Sequence, residues 1–329
     1  MKLATIRHEG RPTVIVQLDG DLALSLAALY TAAGLKQAAP ATMIELIERG
    51  PAELDVIRGA LPKAGAAPRI DTRGADWMAP QPRPYKVLGI AVNNNDLNKV
   101  AFRKPTHPMI FMKGATALTG HEKPVELLKD HGYSIPEPEI VGVIGKGGKN
   151  IPEDRALEHI FGYTITNDIT ASGVKFNFDS IALKLNPSNL RPHHTAWRQK
   201  FGDDDSYLYF TYHTRSKASD TFGPMGPWLT TRDEVADPNN LKVTSWVEGE
   251  IYTEDSTSNY MFTLQRCIAE ASRFFTLEAG DIIHFGTAGK GTAKFPMGNR
   301  SVNLQEVNGS IDIEIEQLGR LSNPIAHLG

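Results

Sequence analysis

The stretch "YSIPEPEIVGVIG", residues 133–145, decides how the chain is read. Pro136 and Pro138 each precede a glutamate, and proline in a helix interior removes an N–H donor and clashes with the preceding turn. The backbone through Glu137 and Glu139 is therefore extended, and an apolar run follows at once, as in a strand entering a core. On extended backbone, residues i and i+2 share a face about 7 Å apart. Two carboxylates on one face repel, and burial raises the pKa of at least one. The pair admits two readings. It is a wet turn screened by water, or it holds a hard divalent cation such as Mg²⁺, Mn²⁺ or Ca²⁺ between its oxygens.

Outward from this stretch, strand-like runs dominate from residue 85: "YKVLGIAV", "PMIFMK", "GYTITND", "LYFTYHT", "LKVTSWVEGEIY", "DIIHFG" and "SIDIEIEQLG". The pattern predicts two helices, "PEDRALEHIF" and a longer one from about Thr257 to Phe275. In the latter, Met261, Leu264, Ile268, Ala271 and Phe275 fall on one face. Many short strands and few helices give an α+β fold with a mixed, barrel-like β core. Before it, "KLATIR" and "PTVIVQL" read as a strand pair, and "LALSLAALYTAAG" and "ATMIELIERG" as helices ending at Gly34 and Gly50. The Ala-, Pro- and Gly-rich residues 64–84 read as a link, so residues 1–75 are expected to form a small N-terminal α/β domain and residues 76–329 the main one.

Composition narrows the function classes. The 329 residues carry a net charge of −3 and no basic block, which argues against a nucleic-acid partner. The N-terminus turns charged too soon for a signal peptide, and apolar runs are too short for a membrane span. The single Cys267 excludes an internal disulfide framework and multi-cysteine zinc sites; beside a helical apolar stripe it reads as a core thiol. A cytoplasmic protein is the expectation. Two glycine-rich stretches fail as phosphate loops. In "GTAGKGT", residues 286–292, Gly289-Lys290 is followed by Gly291 rather than Ser or Thr, and the upstream glycine position holds His284. In "GKGGK", residues 145–149, the dinucleotide fingerprint would need glycine at Asn150. His193-His194 lack a third ligand at a recognisable spacing and read as a surface loop.

Asp168 adds a third acid. It ends the strand-like "GYTITND", where ligand sites often lie, and three carboxylates leave positions on an octahedral ion for water and a chelating substrate.

Five motifs then occur in order: "EPEIVGVIGK", "GYTITNDITAS", "RSKASDTFGPMGPWLTTRDEVADPNNL", "LEAGDIIHFGTAGKG" and "IEQLGRLSNPI". Over residues 85–326 the chain resembles the fumarylacetoacetate hydrolase family. The resemblance implies a core of rolled, mixed β-sheet, a homodimer, and a Mg²⁺ or Mn²⁺ site on Glu137, Glu139 and Asp168. It implies small-molecule 2-oxo acid substrates, often 2,4-dioxo acids. Lys217 matches the family's catalytic lysine, Thr287 within "FGTAGKG" (with Gly286 before it) the substrate-carboxylate position, and Lys113 an F-x-K signature at the pocket wall.

The chain departs from the family pattern in three places. Hydrolytic relatives carry a water-activating His and Glu after the first core strand; here "VNNNDLNKVAF" puts Leu97 and Val100 at those positions, and there is no histidine between residues 86 and 106. Asp96 is the remaining carboxylate, a base or a cap of the lid turn. Ser172 stands where relatives carry a substrate-contacting Arg. A longer segment, about 176–205, separates Asp168 from Lys217. The expected activity is metal-dependent C–C hydrolysis of a 2-oxo acid. Lyase chemistry, either decarboxylation or dehydration of a 2-keto-3-deoxy sugar acid, is the alternative, because it needs the enolate but no attacking water. A non-catalytic 2-oxo acid sensor is a third reading.

Overall fold

The structure is a computed structural model that describes residues 1–65, 67–101, 104–184 and 207–329, with the side chains of 207–209 left aside. His193-His194 and most of the long segment after Asp168 lie outside the described residues.

The opening stretch is extended as expected. Pro138–Ile144 is a strand buried along its whole length, which suits its nearly unbroken apolar run. It pairs antiparallel with Ile160–Asn167 on one side and Ile282–Thr287 on the other. These central strands belong to a 12-stranded mixed sheet that runs on through Val87–Ala91 to the edge strand Met109–Lys113. A second sheet of five strands, including Lys242–Val247, Ser310–Ile315 and Gly319–Leu328, closes the core from another side. The α+β class with a mixed β core follows from these two sheets.

The N-terminal strands are not a separate sheet. Lys2–His8 pairs with Gly223–Thr231, so the first hairpin extends the main sheet. The helices Leu26–Ala32, Met43–Arg49 and Pro51–Ala60 pack their apolar faces into a cluster with Val141, Val143, Leu229 and Ile282 of that sheet. The helical segment expected over 22–34 is shorter at its start, because Leu22–Ser25 is drawn into the sheet beside Arg11–Gln17.

Two further helices differ from expectation. Glu153–His159 is 3-10 rather than α. The long helix is Leu264–Phe274, started by Thr263, whose hydroxyl accepts from the Arg266 N–H at 3.2 Å. Thr257–Asn259 forms a separate 3-10 turn, and Phe262 stays out of the helix because its backbone is taken up by Asn93. Its side-chain oxygen accepts from the Phe262 N–H at 2.8 Å and its amide donates to the Phe262 carbonyl at 3.0 Å. Cys267 is buried in this helix, and burial pushes its thiol pKa up, in keeping with a core thiol.

Candidate active site

The strand register builds the site. Pro138 lies opposite Asn167 and Glu139 opposite Thr166, so the residues just beyond the two strand ends, Glu137 and Asp168, meet. Two bonds fix the junction: the Glu137 N–H donates to Asn167 Oδ1 at 2.8 Å, and the Asp168 N–H donates to the Glu137 carbonyl at 2.8 Å. Glu139 and Asp168 are buried, and the Glu137 side chain keeps 16% of its surface exposed, which makes it the open edge of the cluster.

Two ammoniums answer the three carboxylates. Lys217, from the short helix Thr214–Ala218, donates to Glu137 Oε2 at 2.5 Å, to Asp168 Oδ2 at 2.7 Å and to the Asp168 carbonyl at 3.2 Å. Lys113 donates to Asp168 Oδ1 at 2.6 Å and to the Phe222 carbonyl at 3.0 Å. The F-x-K signature has a geometric reason. Phe111 and Lys113 are two apart on one strand, and the Phe111 ring lies under the Lys217 ammonium, 4.8 Å from the ring centroid.

Burial works against every charge here, and the outcome differs by residue. It holds Glu139 well above the usual carboxylate range and raises Glu137 despite Lys217. For Asp168 burial also pushes upward, but Lys113, Lys217 and then His284 outweigh it and its pKa is lowered. Burial opposes the charge of Lys217, yet Asp168, Glu137 and Glu139 together raise its pKa, so it stays an ammonium. Burial presses Lys113 downward against the pull of Asp168.

The strand Ile282–Thr287 supplies the third wall. Gly286 adopts φ +109°, and its N–H donates to Glu139 Oε2 at 2.9 Å. Thr287 is buried opposite Glu139, its hydroxyl donating to the Ala288 carbonyl at 3.1 Å. The following glycine-rich turn cradles a carboxylate of the chain itself: Gly289 and Lys290 direct their N–H groups at Asp255 Oδ2, at 2.9 and 3.0 Å.

One residue of this strand escaped the sequence reading. His284 is buried, burial pushes its imidazole down to about 3, and its Nδ1 lies 3.9 Å from Asp168 Oδ1. One donor atom each from Glu139, Asp168 and His284 fall within 4.8 Å of one another. The signal was present in "DIIHFG": a histidine amid a fully apolar strand needs a partner, and residue 284 shares the alternation of Gly286.

Asp96 lies apart from this cluster. It stands at the start of the 3-10 turn Leu97–Val100, where its carboxylate takes Lys99 and an Asn259 amide N–H at 2.6 Å, and these lower its pKa. It faces a groove with Glu254, Asp255 and Lys290. Leu97 packs towards Gly289, and Val100 is exposed. Ser172 begins the helix Ser172–Phe178 and donates its N–H to the Tyr133 carbonyl at 2.7 Å.

The donor set suits a divalent cation. Clustered carboxylates are hard ligands, and the buried His284 nitrogens have no hydrogen-bond partner among the described residues. Among the described residues, no helix is long and apolar enough to cross a membrane.

Comparisons with known proteins agree with this architecture. A mitochondrial oxaloacetate tautomerase of Bos taurus is 32% identical over 288 residues, covering 87% of this chain and 80% of that protein. The oxaloacetate tautomerase of Bacillus subtilis is 34% identical over 256 residues, covering 75% and 72%. Among solved structures, maleylpyruvate hydrolase from Sphingobium sp. SYK-6, in complex with manganese(II) and pyruvate, superposes with a TM-score of 0.72 at 25% identity over 100% of both chains. The model of the fumarylacetoacetate hydrolase C-terminal domain matches residues 86–326. That match spans well over half of the sequence, and the chain belongs to the fumarylacetoacetate hydrolase family.

Proposed function

We propose that the protein is a divalent-metal-dependent enzyme that interconverts the keto and enol forms of a small 2-oxo acid of the oxaloacetate type. The observation that carries this reading is the buried set of Glu137, Glu139 and Asp168 with the Lys217 ammonium among them, in a chain that carries Leu97 and Val100 where hydrolytic relatives carry a His and a Glu. Glu137, Glu139 and Asp168 would hold the Mg²⁺ or Mn²⁺, which supplies Lewis-acid polarisation of the 2-oxo group when bound.

Enolisation moves a proton from C3 to solvent water and one from water to the 2-oxo oxygen, and between these transfers negative charge sits on that oxygen, where a fixed ammonium in a low-dielectric pocket stabilises it without reorganisation. Lys217 fits the task because three carboxylates keep it protonated; it acts through its charge rather than by giving up its proton. Thr287, in register with Glu139, is proposed to meet the substrate carboxylate together with Gly286, and Lys113 to hold Asp168 ionised beside it. The names of the two tautomerase relatives support this substrate class.

C–C hydrolysis of a 2,4-dioxo acid is the second reading, favoured by the maleylpyruvate hydrolase neighbour. In that reading Asp96, which lies apart from the cluster and is paired with Lys99, would have to move to the site to serve as the base in place of the missing His and Glu. A lyase of the same family needs neither. A homodimer and a cytoplasmic location accompany the proposal as expectations from the family resemblance and the sequence.

One assay panel tests these readings. Enol oxaloacetate should lose its absorbance faster with enzyme and Mg²⁺ or Mn²⁺, and a chelator should abolish the effect. Acceleration that survives complete metal removal overturns the proposal. Acylpyruvates in water carrying heavy oxygen test the second reading: label in a newly released acid, lost in Asp96→Ala, would favour hydrolysis.

A further inference from the structure

His284 is fully buried in the middle of the strand Ile282–Thr287, and neither Nδ1 nor Nε2 has a hydrogen-bond partner among the described residues. A buried polar atom left without a partner is costly, so two bare nitrogens on one ring ask for an explanation. Lys113 and Lys217 bind the carboxylates and leave the imidazole bare. What the ring faces is the Asp168 carboxylate, with the Lys113 and Lys217 ammoniums close by on that same acid. The His284 Nδ1 is 3.9 Å from Asp168 Oδ1, and the ring shares with Glu139 and Asp168 a set of donor atoms spread over no more than 4.8 Å, close to the distance between opposite ligands of one ion.

We infer that His284 is a direct ligand of the divalent cation held by Glu139 and Asp168, and that this nitrogen makes the site select Mn²⁺ or a similar first-row transition ion over Mg²⁺. The inference rests on the metal-dependent reading above and adds to it a ligand and a metal preference. Its chemistry is general. Mg²⁺ favours an all-oxygen octahedron, whereas imidazole is a softer donor that suits later divalent metals. A strand places the donor well, because β-sheet backbone holds the ring where Glu139 on the neighbouring strand can share its ion.

Mn²⁺ is itself the probe. Electron spin-echo spectroscopy of the Mn²⁺-loaded wild-type protein should show directly coupled nitrogen, and His284→Leu should lose that signal. Calorimetry should find that His284→Leu lowers the Mn²⁺-to-Mg²⁺ affinity ratio by about tenfold or more, chiefly through weaker Mn²⁺ binding. His284→Gln, which keeps a polar side chain, gives the same comparison if the leucine variant does not fold. Mn²⁺ bound to the wild-type protein without nitrogen coupling, or an unchanged affinity ratio, overturns the assignment and leaves the metal-dependent function standing. Absence of any Mn²⁺ or Mg²⁺ binding to the wild-type protein overturns both.

Discussion

Gly286 and Glu139, 147 residues apart, are joined by a 2.9 Å hydrogen bond from the glycine N–H to the carboxylate Oε2. The bond forms because Gly286 takes a φ of +109°, open to glycine and costly for other residues. A Cβ there would also stand 2.6 Å from the Asn93 Cβ. Gly286→Ala should therefore lose about 1–3 kcal/mol of stability from backbone strain, with the clash added. It should also weaken divalent-cation binding, since Glu139 loses its fixed donor. Urea unfolding and Mn²⁺ titration of the same variant check both; unchanged values in each would show that the turn is not what holds Glu139.

The Lys113–Asp168 pair makes a separate prediction about stability. Both side chains are fully buried at 2.6 Å, and removing one partner of a buried pair typically costs about 3–5 kcal/mol. Lys113→Met should show a loss of that order in chelator, and Mn²⁺ should restore part of it by neutralising Asp168. The acid limb follows from the lowered pKa of Asp168. Stability from its ion pairs is complete above the ordinary aspartate range and is lost as pH falls through the lower folded value. Lys113→Met should shrink that acid-labile part. Denaturant midpoints across acidic pH measure it.

How much of this was legible in the sequence depended on the range of the interaction. Pro136 and Pro138 constrain the backbone locally, so the extended reading of Glu137 and Glu139 needed no partner. Thr287, Lys113 and Lys217 came from motifs, which carry position but not contacts. The ion pairs of the two lysines were hidden, because they join residues 55 and 49 positions apart. His284 was missed because periodicity marks it as core, and only the register with the Glu139 strand shows which acids it faces. The 3-10 form of Glu153–His159 and the late start of Leu264–Phe274 were also beyond pattern reading, the latter because a distant Asn93 competes for the backbone.

Two histidines predict a pH dependence outside the site. His131 Nδ1 accepts from the Leu128 N–H at 3.1 Å, and His121 Nδ1 from the Ser322 N–H at 3.0 Å. Each bond requires an unprotonated Nδ1, and burial lowers both pKa values although Asp130 beside His131, and Glu122 and Asp312 near His121, oppose it. The unfolded chain then binds protons that the folded chain refuses. Stability is complete above the ordinary histidine value of about 6.5 and falls as pH drops through the window below it. Melting temperature against pH should decline there. His131→Gln, whose side-chain oxygen can accept from Leu128, should flatten the decline by up to one proton's worth of slope. An equal slope in wild type and variant would show that His131 titrates normally.

Lys217 separates charge stabilisation from metal holding. Its ammonium occupies Glu137 and Asp168, two of the carboxylates proposed to hold the metal, so in the proposed reaction it both competes with the ion and serves the substrate. Lys217→Ala removes the competitor, and divalent-cation binding should persist or tighten. The same change removes the charge that faces the enolate, and turnover should fall about 10²–10³-fold, as when one preorganised oxyanion donor is deleted. Lys217→Arg should recover little, because a planar guanidinium cannot reproduce three converging bonds from one nitrogen above the Phe111 ring. Turnover close to wild type in Lys217→Ala, with metal bound, would mean that the acids and the ion suffice alone. Lost metal binding would instead make the lysine an organiser of the carboxylates. Paired calorimetry and enol-consumption assays distinguish the two because they read the metal and the chemistry independently.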